Sequence, residues 1–500
     1  MIGDDEDAGA EFDRLFAETK RIAQEREAKR AAMNEKPPPT DDIMVRLGMR
    51  EASIIAKEMA PPFSEEDLAL HFADRHAGDL RHVAQWNQWL AWNGRRWRSD
   101  DRHHALHLAR RQCRDAAAAS NQTKGLKTIA SNKTVMAVVS LARADPRLAA
   151  TVDEFDADPW LLNTPDCVFD LRTGTKRPHR PDDYMTKITA VGPRPGCPKW
   201  TAFLHRIMGG NKELIGYLQR VSGYCLTGST REQAMFFAYG VGANGKGVFL
   251  QTVSGIMGDY AKMAAIETFT ESKTDRHPTE IARLHNARLV TATETEPGRH
   301  WAESRIKLLT GGDTVTAHFM RKDDFEYVPL FKLFFSGNHK PGLRSTGEAM
   351  RRRLNMIHFA VVIPEGERDP QFSDKLKPEW AGILQWMIEG GLEYQKRGLD
   401  PPPAVAKATD DYFTAQNSFA YWIEDCCERD PNAWTPTTTL FASFKTWCEK
   451  ASVRHGNITT FGEALTDNGC EWQHTNKGNG YWGLRIRQDP PPPHWQDDKG

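Results

Sequence analysis

Long apolar runs, paired cysteines and an excess of one charge are all missing from this sequence. No stretch approaches the roughly 20 consecutive apolar residues that a membrane-spanning helix needs. The first residues, MIGDDEDAGAEFDR, are acidic and lack the apolar segment of a secretory signal. The expectation is therefore a cytoplasmic protein, in a bacterial host cell, without a membrane partner. The eight cysteines (113, 167, 197, 225, 426, 427, 448 and 470) contain no CxxC pair. That spacing excludes a disulfide framework and a cysteine zinc site. Lys and Arg number 66 against 67 Asp and Glu, so no global basic field announces nucleic acid. Any basic groups that grip a polyanion must be local.

What is present is length, 500 residues, enough for two to four domains at roughly 100–200 residues each and for ample buried core. Residues 1–61 read as a charged, partly disordered arm. Phe12, Leu15, Phe16 and Ile22 fall at helical spacing there, and Pro37–Pro39 break any helix. Residues 62–198 read as a small α+β domain. Within it QWNQWLAWNGRRW sets four tryptophans around Asn93-Gly94, a hairpin signal. These rings read as hairpin and core packing, with stacking on single-stranded bases as the alternative. Residues 199–230 read as a helical connector. Residues 231–400 alternate apolar strands with helical stretches, the pattern of an α/β domain. LDPPP (399–403) reads as a rigid linker, residues 401–487 as a separate small domain, and 488–500, with four consecutive prolines, as a disordered tail.

The strongest local signal is FFAYGVGANGKGVF (236–249). An apolar strand runs into Gly240, Gly242, Ala243, Asn244, Gly245 and Lys246, and a helical stretch follows from Val248. This is GxxxxGK on a strand–loop–helix, a phosphate-binding loop. Glycines let successive backbone N–H groups and a helix N-terminus face the phosphates. Lys246 would reach the β- and γ-phosphates of ATP. Chance supplies only about 0.1–0.2 such matches in a chain of this length, with Gly near 7%. Gly247 stands where a Ser or Thr hydroxyl is expected on Mg²⁺, so the ion must lean on carboxylates and water.

Four further segments follow. ARLVTATETE (287–296) is an apolar strand ending in Glu294 and Glu296. One carboxylate would hold Mg²⁺ and the other polarise the attacking water; the division of roles is open, leaning to Glu294 as the base. TVTAHFMRKDDFEY (314–327) alternates across a charged turn and reads as a hairpin. It is either a solvated surface hairpin or a tip that grips a DNA backbone through Arg321 and Lys322, with Lys307 in support. FKLFFSGN (331–338) is a third apolar strand with Asn338 beyond its end, where an amide can orient water at the γ-phosphate or simply cap the turn. Arg351-Arg352-Arg353 precedes another strand and offers an arginine finger or a solvated basic run. Residues 404–487 give three helical runs and a strand pair at 471–487. Lys477, Arg485 and Arg487 are its candidate DNA contacts, with a protein-docking module as the alternative.

GVGANGKG, LVTATETE, IKLLTGGD, the hairpin, FFSGNHKP and MRRRL, in that order, resemble the consecutive motifs of superfamily 3 helicases. They are most similar to the helicase region of phage and plasmid primase–helicases of the poxvirus type. The resemblance spans residues 65–487. It implies an α/β fold: an AAA+-like P-loop ATPase domain (231–400), an N-terminal α+β helicase-associated domain (62–198), a helical collar (199–230) and a C-terminal winged helix (401–487). It further implies a homo-hexameric ring with ATP and Mg²⁺ at subunit interfaces. Lys246 would hold phosphate, Glu294 and Glu296 would act on Mg²⁺ and water, Asn338 would be the first sensor, and Arg352, with Arg353 as understudy, the finger acting in trans. Movement 3′→5′ along single-stranded DNA is expected. No primase domain is recognised before the helicase, so a separate primase is expected.

The expected function is ATP-driven unwinding of forked DNA for replication of a phage or mobile element. The rivals are an ATPase that loads or remodels proteins on DNA without unwinding, a non-catalytic replication initiator, and, more remotely, a small-molecule kinase.

Overall fold

A computed structural model of the chain describes residues 60–120, 125–271, 279–293, 299–318, 324–343, 347–451, 455–476 and 478–487. The expected arm before residue 60, the tail, Glu294, Glu296, Arg321, Lys322 and Lys477 lie outside them. Among the described residues no helix is long and apolar enough to cross a membrane. All eight cysteines are free thiols.

Residues 60–93 and 98–152 make one unit. Helix α1 (Glu65–His76) starts at Ser64, whose Oγ accepts the Asp67 N–H at 3.1 Å. Three acids in its first turn suit the positive end of the helix. Strands β1 (Leu80–Val83) and β2 (Gln88–Trp92) pair antiparallel. The Asn93-Gly94 step lies between β2 and β3 (Trp97–Ser99), with Gly94 at φ 89°, the conformation that favours glycine. Then come α2 (His104–Ala119), α3 (Leu126–Ile129), α4 (Asn132–Ala142) and β4 (Ala149–Ala150), which pairs parallel with β1. Phe72, Leu80, Trp89, Ala109, Cys113 and Val138 form the core. Trp89 and Trp97 are buried, as the packing reading expects, while Trp86 and Trp92 are half-buried.

The second unit holds residues 94–97 and everything described from 153 on. The division thus falls at Val152, inside the stretch 62–198. An antiparallel meander, β5 (Leu161–Asn163), β6 (Val168–Asp170) and β7 (Thr175–Arg177), comes first. Helices α5 (Pro198–Ile207) and α6 (Lys212–Leu226) lead into β8 (Met235–Tyr239), α7 (Lys246–Met257) and β9 (Ala261–Met263). Next are α8 (Thr279–Ala282), β10 (Leu289–Thr293), α9 (Glu303–Gly311), the antiparallel pair β11 (Val315–His318) and β12 (Asp324–Tyr327), and β13 (Lys332–Gly337). Then follow α10 (Glu348–Arg351), β14 (Leu354–His358), α11 (Phe372–Leu376), α12 (Trp380–Arg397) and α13 (Pro403–Cys426).

Five of these strands form one parallel sheet in the order β14-β8-β13-β10-β9. Its strands read as unbroken apolar runs because both faces are covered. Along β8 the side chains alternate: Phe236 and Ala238 join the core under α6, α7 and α12. Met235 and Phe237 join the other, with Phe335, Met356 and Trp301, as the two-residue period requires.

The rigid linker expected at 399–403 joins α12, ending at Arg397, to α13, beginning at Pro403, so the segment beyond it does not start a separate domain. Pro403 occupies the first turn of α13, where a proline costs no hydrogen bond. The Arg220 guanidinium fixes the carbonyls of Leu399 (3.0 Å) and Asp400 (2.9 Å). The first half of α13 lays Ala408, Tyr412 and Phe413 into the sheet core. Its second half carries Phe419 and Trp422 into a separate C-terminal core. One helix of 24 residues, about 36 Å long, therefore joins the two. The C-terminal core is completed by β15 (Cys427–Pro436), α14 (Thr437–Lys450), α15 (Ile458–Asp467), β16 (Glu471–Thr475) and β17 (Gly478–Ile486), the strands ordered β15-β17-β16. The pair β16–β17 matches the expected strands at 471–487. The polar strand β15 beside them has no apolar alternation from which it could be read.

Candidate functional site

The loop between β8 and α7 is built by close approach. Gly240 has φ 145°, and a Cβ there would lie 2.4 Å from the Phe359 carbonyl oxygen. Gly245 has φ 83°, and a Cβ would meet Ile207 at 2.7 Å. Ala243 also takes a positive φ, 57°. The chain leaving β14 straps the loop down: Asn244 Nδ2 donates to Phe359 O (3.1 Å) and the Ile363 N–H to Ala243 O (2.8 Å). Gly242 and Gly247 face open space, with nothing within 4 Å of a notional Cβ. The half-buried Val248 packs its side chain against the core beside the sheet, leaving its backbone N–H at the helix start.

Lys246, the first residue of α7, is 6% exposed. Its Nζ donates to Gly240 O (2.6 Å), Asn244 Oδ1 (3.0 Å) and Asn338 Oδ1 (3.3 Å). Burial holds its pKa below the usual lysine value. Asn338 stands just beyond β13, the neighbour of β8 in the sheet. The sequence separates the two residues by 92 positions, and the sheet brings them into hydrogen-bond range. On the other side of β13 lies β10, ending at Thr293, after which the chain continues into Glu294 and Glu296. Strand β8 connects onward to β9 at one edge and β13 to β14 at the other. Adjacent strands with opposed connections open a crevice at their carboxyl ends, the usual ligand position in an open α/β sheet.

A cavity of about 350 Å³ lies beside this loop, lined among others by Ile207, Asn211, Tyr239, His358, Lys407 and Asp411. Tyr239 and His358 stack with centroids 4.6 Å apart, and Lys340 Nζ sits 3.9 Å from the Tyr239 ring centroid. Burial, then the charges of Lys340 and Lys246, hold His358 below the ordinary histidine range. Lys407 and Asp411 pair at 3.0 Å. Sequence reasoning missed this cavity. Its walls come from α5, β8, β14 and α13, and no local spacing links them.

The three consecutive arginines separate cleanly. Arg351 binds Asp410 at 2.6 Å and lies over the Phe413 ring. Arg353 is 5% exposed and donates to Thr310 Oγ1 (3.0 Å) and Ala349 O (2.7 Å). Arg352 is exposed, and its side chain has no hydrogen-bond or ion-pair partner among the described residues. Arg353 is thus engaged within its own fold, whereas Arg352 is the exposed arginine of the three.

Of the remaining candidates, Lys307, Arg485 and Arg487 are among the described residues. Lys307 pairs with Glu303 at 3.4 Å on α9. The β11–β12 pair is in register up to His318 opposite Asp324, beyond which Arg321 and Lys322 are outside the described residues. Its base is anchored by the Phe325, Tyr327 and His285 rings and by Tyr327 Oη, which donates to Ile281 O at 2.7 Å. In the C-terminal part, Arg485 pairs with Glu428 (2.8 Å) and Arg487 Nε donates to Cys427 O (2.9 Å). Neither is an uncommitted cation.

Residues 69–209 match the family described as D5 N terminal like, which belongs to primase–helicase proteins. Residues 238–353, the crevice included, match a family of unknown function, DUF5906. Among curated proteins the chain is similar to "Putative helicase L207/L206" of Acanthamoeba polyphaga mimivirus, 26% identical over 58% of this chain and 32% of that protein. It is similar also to "Putative helicase 184R" of Invertebrate iridescent virus 6, 27% identical over 59% of this chain and 35% of that one. "Putative helicase 022R" of Frog virus 3 is 23% identical over 48% of this chain and 27% of its own length. The chain spans about a third of the length of these relatives. Among solved structures, the apo C terminal region of NrS-1 aligns with a TM-score of 0.42 at 10% identity, covering 81% of this chain and 95% of that one.

Proposed function

We propose that this chain is the ATP-driven motor of a superfamily 3 DNA helicase, serving replication of a phage or other mobile element. The observation that carries the reading is the Lys246–Asn338 contact of 3.3 Å in the crevice between β8 and β13, one strand from the acidic continuation of β10. Backbone N–H groups from Gly242 to Val248 and the N-terminus of α7 receive the phosphates of ATP. Lys246 exchanges its hold on Gly240 O for a β- or γ-phosphate oxygen, and Asn338 orients the attacking water. One of Glu294 and Glu296 accepts the proton of that water, with Glu294 favoured, and the other would hold Mg²⁺, which would supply neutralising charge for the phosphates. The cavity at Tyr239 and Asp411 is of a size to take the base.

Arg352 acts on the nucleotide of a neighbouring subunit, which requires a ring, in this reading a homo-hexamer. Single-stranded DNA is tracked 3′→5′ by Arg321 and Lys322 with Lys307 behind them, while Lys477 meets forked DNA from a winged-helix C-terminal domain. Lys307 and Arg485 join in when phosphate displaces their present partners, Glu303 and Glu428. Strand displacement on a forked duplex tests the reading. ATP-dependent release of the displaced strand supports it, whereas ATP hydrolysis with the fork left closed favours a loader.

Two predictions arise from this geometry. Gly247→Ser fits without a clash, since nothing lies within 4 Å, and adds the hydroxyl ligand. The Mg²⁺ concentration for half-maximal turnover should fall about 3–10-fold, equivalent to roughly 1 kcal/mol; an unchanged or raised requirement counts against the phosphate geometry. Arg352→Ala should cost about 10³-fold or more in kcat without loss of stability. Arg353→Ala should instead lower stability by about 2–3 kcal/mol, because its buried hydrogen bonds go unmade. Equal effects of the two on melting temperature would contradict the distinction drawn between them.

A further inference from the structure

Helix α2 in the N-terminal unit is strongly two-faced. Ala105, Ala109, Gln112, Cys113 and Ala117 point into the core. On the opposite side His107, Arg110, Arg111 and Arg114 are exposed. Among the described residues none of these three guanidinium groups makes a hydrogen bond or an ion pair. Elsewhere arginines with neighbouring acids are held: Arg147 by Asp145 at 2.6 Å, Arg172 by Asp158 at 2.9 Å and Arg177 by Asp183 at 2.6 Å. The exposed Arg98 and Arg102, before the helix, are likewise without side-chain partners among the described residues. The acids nearby are few: Asp100 is spent on the α2 N-terminus, accepting the His104 and Ala105 N–H groups at 2.7 and 2.9 Å. Asp101 and Asp115 are exposed.

The chain as a whole is close to neutral, so a concentration of uncommitted guanidinium groups on one helix face is a local basic feature to which a polyanion is attracted. At 1.5 Å per residue the stripe from His107 to Arg114 runs about 10 Å, a length that suits successive backbone phosphates. No phenylalanine, tyrosine or tryptophan lies on this helix. Recognition of single strands relies on aromatic platforms for the bases, whereas contact with phosphates positions a duplex without reading its sequence.

We propose that the exposed face of α2, through Arg110, Arg111 and Arg114, binds the phosphate backbone of duplex DNA, a role distinct from those of the nucleotide crevice and the β11–β12 hairpin. The proposal rests on the DNA half of the functional reading above. It gives a hold on duplex to a motor that draws on a single strand.

The test uses the full chain without nucleotide, binding a labelled blunt duplex and a single strand of equal length between about 50 and 200 mM salt. In the Arg110→Gln/Arg111→Gln/Arg114→Gln variant, duplex affinity should fall at least tenfold. The slope of log K against log salt should shrink by up to about 2.7, at roughly 0.9 for each phosphate left without its arginine. Single-strand affinity and DNA-free ATP turnover should stay at wild-type values. The corresponding triple lysine variant should restore the slope, because the charge is kept. Unchanged duplex affinity and slope overturn the proposal, as does an equal weakening on the single strand, or a lysine variant as defective as the glutamine one. Wild-type protein that binds no duplex overturns it together with the DNA half of the functional reading. Loss of ATP turnover with duplex binding intact in Lys246→Ala leaves it standing and bears on the crevice alone.

Discussion

Lys246→Ala is expected to reduce ATP turnover at least about 10²–10³-fold, the range for deleting one preorganised charge-stabilising donor. The ammonium is the only side-chain cation that the structure brings within hydrogen-bond range of the Asn338 amide among the described residues. Its present partners, Gly240 O and Asn244 Oδ1, are oxygen acceptors that a phosphate oxygen can replace. The fold should tolerate the change. The loop remains strapped by the Asn244–Phe359 and Ile363–Ala243 hydrogen bonds, and burying a lysine charge is itself unfavourable. The measurement is steady-state phosphate release beside a thermal unfolding curve. A variant that keeps more than a tenth of wild-type kcat at unchanged melting temperature would show that this lysine does not serve phosphate chemistry.

Gly223→Ala should be among the most damaging single methyl additions in the central body. Helices α6 and α12 cross with backbone against backbone: a Cβ on Gly223 would lie 1.9 Å from Gly391 N and 2.4 Å from Gly390 C. In return, one on Gly390 would lie 2.1 Å from Gln219 O. No rotamer relieves a clash with main chain, so the helices must separate. The separation opens the packing around Tyr217, Val221, Tyr224 and Ile388, all nearly inaccessible. Overpacking ordinarily costs about 1–3 kcal/mol, and a clash with fixed backbone belongs at or above the top of that range, against a total stability of about 5–15 kcal/mol. Gly216→Ala on the same helix meets only Arg220 Nη1 at 3.6 Å. It should stabilise by about 0.5–1 kcal/mol, because glycine weakens a helix interior. Urea unfolding of the pair checks both signs. Equal effects would mean that α6 and α12 do not pack backbone to backbone.

The parts that local sequence governs were legible. Strand β8, its glycine loop and α7 follow one another within some twenty residues, each specified by its own composition. The apolar strands before Thr293 and Asn338 announced themselves by unbroken runs. What the sequence withheld was whatever depends on distant residues meeting. The cavity between Tyr239, His358 and Asp411 needs β14 and α13 folded against β8. The commitment of Arg353 to Thr310 and Ala349 cannot be told from the exposure of Arg352 one position earlier. Pro401–Pro403 misled because proline both ends structure and begins helices. Only the packing of Ala408 and Tyr412 on the sheet shows which role it plays here.

The most direct test of the central claim is ATP hydrolysis by the wild-type chain, with magnesium and at concentrations that permit ring assembly, measured with and without single-stranded DNA. Turnover that DNA stimulates several-fold is the expected result if Lys246 and Asn338 act on nucleotide in a DNA-coupled motor. No turnover in either condition, or turnover indifferent to DNA, would contradict a DNA-coupled motor.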